Sequence, residues 1–210
     1  MCVTLGGVTL TARLLQDPTA GNQHVYGRGH LGAYGREEWI MTGWEGCKTS
    51  PVQTGESVDL MGMTFTFRLT GKDTNGKFSI TDQYALPGAG PTWLHAHPAE
   101  ETFIVVDGEF EVYGRENGTK VSRRLGPGDI HQVGANAPHA VKNVGSTRGR
   151  ILLLFHPADL QEGLFKDVGM PTTATSDPAP EQGPPTPEMM ENLLSVFKKH
   201  KFELLEPLGP

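Results

Sequence analysis

At 210 residues the chain is long enough for one domain with a sizeable core plus arms. Its net charge is −6 and its Lys and Arg do not cluster away from the C-terminal end, so no nucleic acid is expected as a partner. Two cysteines, Cys2 and Cys47, make no disulfide framework, the start MCVTLGGVTLTARLL has no basic leader and no apolar run spans a bilayer, so the expectation is a soluble cytoplasmic protein with no membrane contact.

Residues 1–56 read as an N-terminal arm with short strands, in which Val8, Leu10 and Leu14 suit a strand or an extended segment. Trp39 and Trp44 are placed to anchor this arm on the rest of the chain or on a partner subunit. His24 and His30 have no cysteine or carboxylate at a ligand spacing, so they are not assigned to a second metal site. From Asp59 the pattern sharpens. Met63 to Thr70 alternates apolar and polar, as a half-buried strand does. Asp73-Thr74-Asn75-Gly76 is turn chemistry. Phe78, Ile80, Tyr84 and Leu86 mark a second strand whose face also carries Asp82. Short strands separated by turns predict an all-β sandwich or barrel.

Pro87 to Pro91 breaks the chain just ahead of its most informative stretch, residues 93 to 143. His95 and His97 stand two apart, so on a strand both imidazoles point to one side. Glu101 joins them if the strand runs on through residues 98–100, and Phe103 and Val105 share that parity. Asp107-Gly108 then predicts a two-residue hairpin with Val106 opposite Glu109 and Val105 opposite Phe110. On that register Phe110 and Val112 face the same side as the histidines. Ile104 and Val106 face away from it, yet both are apolar, and need cover from a second subunit or from the chain's own arms. Gly126 to Asp129 is a turn, Ile130 to Val133 a strand, and Gly134 to Pro138 another turn. His139 follows on an inner face with Val141 and Asn143. Ile151 to Phe155 is apolar on both faces and predicts a fully buried strand. Residues 171–186 form a linker rich in Pro and Thr. Thr186 caps a helix starting at Pro187, with Met190, Leu193, Leu194 and Phe197 on one stripe and Lys198, Lys199 and Lys201 at its basic end.

Three histidines and a glutamate facing into one apolar barrel are costly to bury unpaired. As a ligand set, His95, His97, Glu101 and His139 suit one divalent transition metal, and Fe, Mn, Ni, Co, Zn and Cu all remain open. Four protein ligands leave one or two positions for an oxygen donor, with or without O₂. The metal then acts as a Lewis acid, and Glu101 alternates between ligand and general base. Phe65, Phe67, Phe103 and Phe110 are assigned as the lining of the substrate pocket, together with Trp93, whose other reading is a packed core aromatic. That lining favours a hydrophobic or aromatic small molecule. His131 and His156 are candidate extra acids near the mouth, or else surface and structural residues.

The stretch resembles the two motifs of the cupin superfamily. H-x-H-x3-E-x6-G is matched by His95, His97, Glu101 and Gly108, and H-x3-N by His139 and Asn143, with Gly128-Asp129 ahead of it. Ala89 stands where the pattern has a glycine, and Gly134-Ala135-Asn136 where it has P-x-G. The flanks, Met63 to Ala99, Arg150 to Gly169 and Phe202 to Leu208, resemble small single-domain cupins related to quercetin dioxygenase. The resemblance implies a single cupin domain over 57–170, a double-stranded β-helix or jelly-roll barrel, followed over 187–210 by a C-terminal helix and tail. It also implies that Glu101 takes the base's role its counterpart has in quercetinases. The function expected is a dioxygenase of an enol-type or aromatic, flavonol- or polyketide-like molecule, with O₂ as co-substrate. A redox-neutral isomerase, cyclase or lyase on a natural-product intermediate, and a non-catalytic ligand-binding cupin, stay open beside it. A homodimer is expected, closed two-fold dimers being the commonest oligomers.

Overall fold

A computed structural model of the chain describes residues 2–5, 8–11, 48–50, 54–158, 160–173 and 186–209. Two units divide at Trp39/Ile40. In the first, β1 (Cys2–Leu5) and β2 (Val8–Thr11) pair as an antiparallel hairpin that includes Val8 and Leu10. Leu14, His24, His30, Trp39, Trp44 and most of the linker lie outside the described residues.

The second unit takes the order β3 (Ser57–Leu60), β4 (Met63–Leu69), β5 (Ser79–Ala85), β6 (Trp93–Ala96), β7 (Glu100–Asp107), β8 (Phe110–Glu116), β9 (Thr119–Leu125), β10 (Ile130–Val133), β11 (His139–Asn143) and β12 (Gly149–His156). It continues through α1 (Leu160–Val168), β13 (Met170–Thr172), α2 (Pro187–Lys199) and β14 (Glu203–Pro207). A seven-stranded sheet runs β10-β7-β12-β5-β4-β3-β13, and a five-stranded sheet runs β14-β6-β11-β8-β9. The core is one cluster drawn from both: Phe103, Val105, Ile151 and Leu153 of the larger sheet meet Phe110, Val112 and Val141 of the smaller. This is the all-β jelly-roll architecture the sequence predicts.

The strand pairing departs from the expected hairpin. Asp107-Gly108 is a corner between sheets: β7 pairs with β10 and β12, whereas β8 pairs with β11 and β9. Two glycines permit it. A Cβ on Gly108 would stand 2.7 Å from Cα of Gly149, and one on Gly149 would stand 2.7 Å from the Phe110 ring. The two-residue hairpin falls instead at Asn117-Gly118, where φ is 51° and 79° and Glu116 pairs with Thr119, the positive pair that an Asn-Gly turn supplies. Residues 134–138 likewise carry the chain from β10 in one sheet to β11 in the other.

On β5 the parity is the reverse of the simple reading. Ile80, Asp82 and Tyr84 face outward, and Thr81, Gln83 and Ala85 point into the core opposite Leu153 and Ile151. The outer row is held by charge: Arg150 donates to both carboxylate oxygens of buried Asp82 at 2.9 and 2.7 Å, and its guanidinium lies 5.4 Å from the Tyr84 ring. On β12, Ile151, Leu153 and Phe155 are buried but Leu152 and Leu154 only partly so, because their outer face is not closed over. α2 begins at Pro187 as predicted, with the Met190 amide donating to the Thr186 carbonyl at 2.9 Å. α1 and β14 were not foreseen. The Lys199 ammonium donates to Asp167 of α1 at 2.7 Å, and His200 pairs with the same carboxylate, which ties the two helices together. β14 then adds itself to the free edge of β6.

Candidate metal centre

Three strands, β6, β7 and β11, bring the expected ligands together. His95 sits inside β6 and is cross-strand partner of His139, the first residue of β11. His97 lies just past the end of β6, where the chain leaves the five-stranded sheet, and Glu101 enters as the second residue of β7 in the other sheet. The strand does not run on through residues 98–100 as the parity argument supposed. The carboxylate meets the imidazoles because the chain turns the corner at Pro98-Ala99 and faces back across the core.

All four side chains are buried, His97 and His139 at 2% exposure each. The three histidines offer ligand nitrogens within 4.8 Å of one another. Glu101 Oε2 lies 3.1 Å from His97 Nε2 and 3.0 Å from His139 Nε2. Each imidazole is oriented from behind by a backbone carbonyl: His97 Nδ1 faces Ala99 O at 3.0 Å, His139 Nδ1 faces Ala137 O at 2.8 Å, and His95 Nδ1 lies 3.4 Å from Trp93 O. A carbonyl accepts only, so Nδ1 carries the proton, and in a neutral ring Nε2 then presents a lone pair.

Two lone pairs would therefore point at a carboxylate oxygen about 3 Å away, which is repulsive unless a cation sits among them. Protons meet that need in part. Burial works against a charge on His139, but its hydrogen bond to Glu101 and that carboxylate's charge outweigh it and raise its pKa above the ordinary value. Burial pushes Glu101 up, and the hydrogen bonds and charges of His139 and His97 overcome this and lower it to about 2. His95 cannot share in the arrangement: burial, then His139, hold it down at about 3, so it stays neutral. A divalent ion among the three imidazoles would satisfy their lone pairs and the carboxylate oxygen that lies beside two of them. Neighbouring ligands about 2.1 Å from one ion stand roughly 3.0–3.4 Å apart, which matches the Nε2–Oε2 separations. The donor set thus fits a resident metal, with the carbonyls supplying the supports that fix ligating histidines.

Aromatic rings close the site, and of the five expected ones only Phe103 is among them. Phe65, Phe67 and Phe110 are core residues. Phe65 stacks on Phe165 of α1 at 4.2 Å, and Phe67 lies under the Lys166 ammonium at 4.8 Å. Phe103 is also in the core, with its ring 6.2 Å from that of His139. Trp93 is 42% exposed, so it is not a packed core aromatic. The other rings against the histidines are Phe155, 6.3 Å from His97, and Phe202, stacked 4.5 Å from His95 and 6.0 Å from His97. Phe202 comes from the short link between α2 and β14, and Phe197 of α2 backs it at 4.6 Å.

A cavity of about 320 Å³ opens beside His139, at the gap between edge strands β9 and β10. None of the five expected aromatics lines it. Its walls carry Tyr113, Arg115, Arg123, His131 and Gln132 as well as Val112, Val121 and Val133. His131 thus lies at the mouth, its ring 6.5 Å from Phe103, while His156 is exposed at the end of β12. Burial, then Arg123, lower the pKa of His131. Asn143 is wholly buried and structural: its amide donates to Ala85 O and Thr147 O, both at 2.9 Å, and closes the β11–β12 loop.

The domain is thus a two-sheet β-barrel with a buried three-histidine cluster. Residues 83–155, about a third of the chain and including all four site residues, match the family model described as Cupin domain. Solved structures with a similar fold include an RmlC-like cupin from Shewanella frigidimarina, 25% identical over 50% of this chain and 86% of that one, with a TM-score of 0.41. An oxalate oxidase in complex with the substrate analogue glycolate is 22% identical over 57% and 63%, TM-score 0.46. The polyketide cyclase RemF from Streptomyces resistomycificus is 18% identical over 50% and 70%, TM-score 0.40. No curated protein matches the chain. The structural likenesses cover about half the chain, so the chemistry of the site rests on its own residues. Among the described residues no helix is long and apolar enough to cross a membrane.

Proposed function

We propose that the chain is a metal-dependent enzyme, a dioxygenase of a small enol-type or aromatic molecule, with one divalent transition metal held by His95, His97, Glu101 and His139. The observation that carries this reading is the convergence of acceptors: buried Nε2 atoms of His97 and His139 lie within 3.1 Å of Glu101 Oε2 while their Nδ1 atoms are committed to carbonyls. When bound, the ion supplies Lewis acidity to an oxygen donor placed beside it. Three neutral imidazoles and one carboxylate carry a single negative charge, so a divalent ion leaves one positive charge in the site to hold an enolate. Glu101 is the base that takes the enol or hydroxyl proton on Oε2. Phe155 and Phe202 keep water from the histidine faces. His131, at the cavity mouth, is the second group within reach of a bound molecule.

Metal analysis of protein purified without chelators, followed by an oxygen-electrode screen of flavonols and related polyphenols, tests the proposal. One divalent ion per chain and substrate-dependent O₂ uptake are the expected results. Absence of stoichiometric metal overturns the reading. Conversion of a substrate without O₂ uptake retains the centre and makes the reaction a redox-neutral isomerisation, cyclisation or elimination.

A further inference from the structure

The cavity that leads to His139 has mixed polar and aliphatic walls where the sequence pattern suggested an aromatic lining, and one cation in it is unused. Arg123 lies on β9 opposite Val112, in the row that carries buried Leu125, so it stands on the inner face at the open edge of the sheet. Among the described residues it has no hydrogen-bond or ion-pair partner. The other cation of the cavity, Arg115, is engaged: its Nη2 and Nε donate to Glu206 Oε1 at 2.7 and 3.1 Å. Glu116 also lines the cavity, but it sits at the β8–β9 hairpin, four residues along β8 from Val112, the partner of Arg123. At strand rise that is roughly 13 Å away.

Arg123 and His139 line the same cavity. His139 pairs with Gly114, and Gly114 pairs with Val121. Gly114 occupies an inner-face position where any other residue would project a side chain into the cavity. Two strand spacings and two residues of rise put the Cα atoms of Arg123 and His139 roughly 12 Å apart. Their side chains approach each other across the space of a short diacid. The volume of about 320 Å³ falls at the small end of the range for ligand pockets, about 300–1,000 Å³. His131, on β10 directly across the gap, adds a ring nitrogen to the same wall.

We infer that Arg123 determines substrate specificity by binding a carboxylate remote from the metal-binding end of the substrate, so that the natural substrate is a small anionic molecule with an enolisable oxygen donor at one end and a carboxylate at the other. This rests on the metal-centre reading above. Arg presents a planar fork that pairs with a carboxylate through two charge-assisted hydrogen bonds, which gives orientation as well as affinity.

Calorimetric titration of the metal-loaded protein with 2-oxoglutarate and with 2-oxobutyrate tests it. Both probes carry the same chelating head, and only the first has a distal carboxylate. The wild type is expected to bind 2-oxoglutarate about tenfold or more tightly than 2-oxobutyrate. Arg123→Gln is expected to bring that ratio close to one while leaving the 2-oxobutyrate affinity unchanged, and Arg123→Lys to keep part of it. Arg123 is exposed and unpaired, so neither substitution disturbs the fold. A wild-type ratio near one, an equal loss of both affinities in Arg123→Gln, or no binding of either probe to metal-loaded protein overturns the inference and leaves the metal centre standing. Protein that takes up no metal removes the metal reading first, and this inference with it.

Discussion

Glu101 is the group on which the two sheets exchange charge, and its removal has a calculable effect in metal-free protein. Glu101→Gln keeps the size of the side chain and removes its charge. In the wild type the carboxylate pKa falls from an ordinary 4.5 to about 2. At about 1.4 kcal/mol for each tenfold change in proton affinity, the net of burial and the contacts with His97 and His139 favours the charged form by roughly 3 kcal/mol. A depressed carboxylate contributes stability that is present above its unfolded pKa and lost as the pH falls through its folded one. His139 is raised by the same contact, so its contribution is present below its unfolded pKa and lost as the pH rises through the folded value. The two shifts describe one interaction and count once. The stability difference between wild type and variant is therefore expected to peak at about pH 5, to vanish toward pH 2, and to shrink again as His139 loses its proton. Urea unfolding of chelator-treated wild type and Glu101→Gln across that range measures it. Parallel curves for the two proteins at every pH would refute the reasoning, since they would mean that Glu101 and His139 do not share a proton-linked contact.

The remaining expectations are simpler. His97→Ala removes a nitrogen from the buried cluster and should abolish stoichiometric metal in elemental analysis; full occupancy would count against His97 as a ligand. Glu101→Gln leaves three histidines, so some metal should remain, but turnover per bound metal should fall by about 10²–10⁴; near-normal turnover would make Glu101 a ligand only and direct attention to His131. Val106 and Ile130 are 39% and 65% exposed on the outer face of the seven-stranded sheet, beside Ile104. We expect a second copy to cover them, so sedimentation should find a dimer at micromolar concentration and Ile130→Glu should shift it toward monomer. A monomeric wild type would rule this out.

The clustering of His95, His97 and His139 was legible because a period of two and an apolar background leave a buried histidine few alternatives. The sheet to which each strand belongs was not. A two-residue link presents Val105 and Phe110 to the same interior whether it closes a hairpin or turns a corner, so the alternation around Asp107-Gly108 is the same in both cases. The close approach of Gly108 to Gly149 decides it, and those residues are far apart in sequence. The described cavity differs from the expected aromatic lining for a related reason. Phe65, Phe67 and Phe110 have inward parity, but an inward side chain in a filled barrel packs in the core, and cavity walls come from the edge strands β9 and β10, whose residues look like surface. Arg123 reads as an ordinary exposed arginine until β9 is seen at the open rim. Phe202 follows a basic helix end with no periodic pattern of its own, and only the pairing of β14 with β6 brings it over His95.

The candidate centre is a bridge. His95 and His139 belong to the five-stranded sheet, His97 follows directly on it, and the carboxylate belongs to the seven-stranded one, so the distance between imidazoles and carboxylate is set by whatever separates the sheets. Phe103, Phe110, Ile151 and Leu153 fill that interval and act as shims. Interiors packed this tightly pass on small displacements rather than absorb them, and transition metals differ in the ligand geometry they accept. A methylene added or removed at Leu153 changes the bite offered to an ion without touching a ligand. Selection for a different metal should therefore find its substitutions among the core aliphatics and phenylalanines as readily as around the histidines themselves.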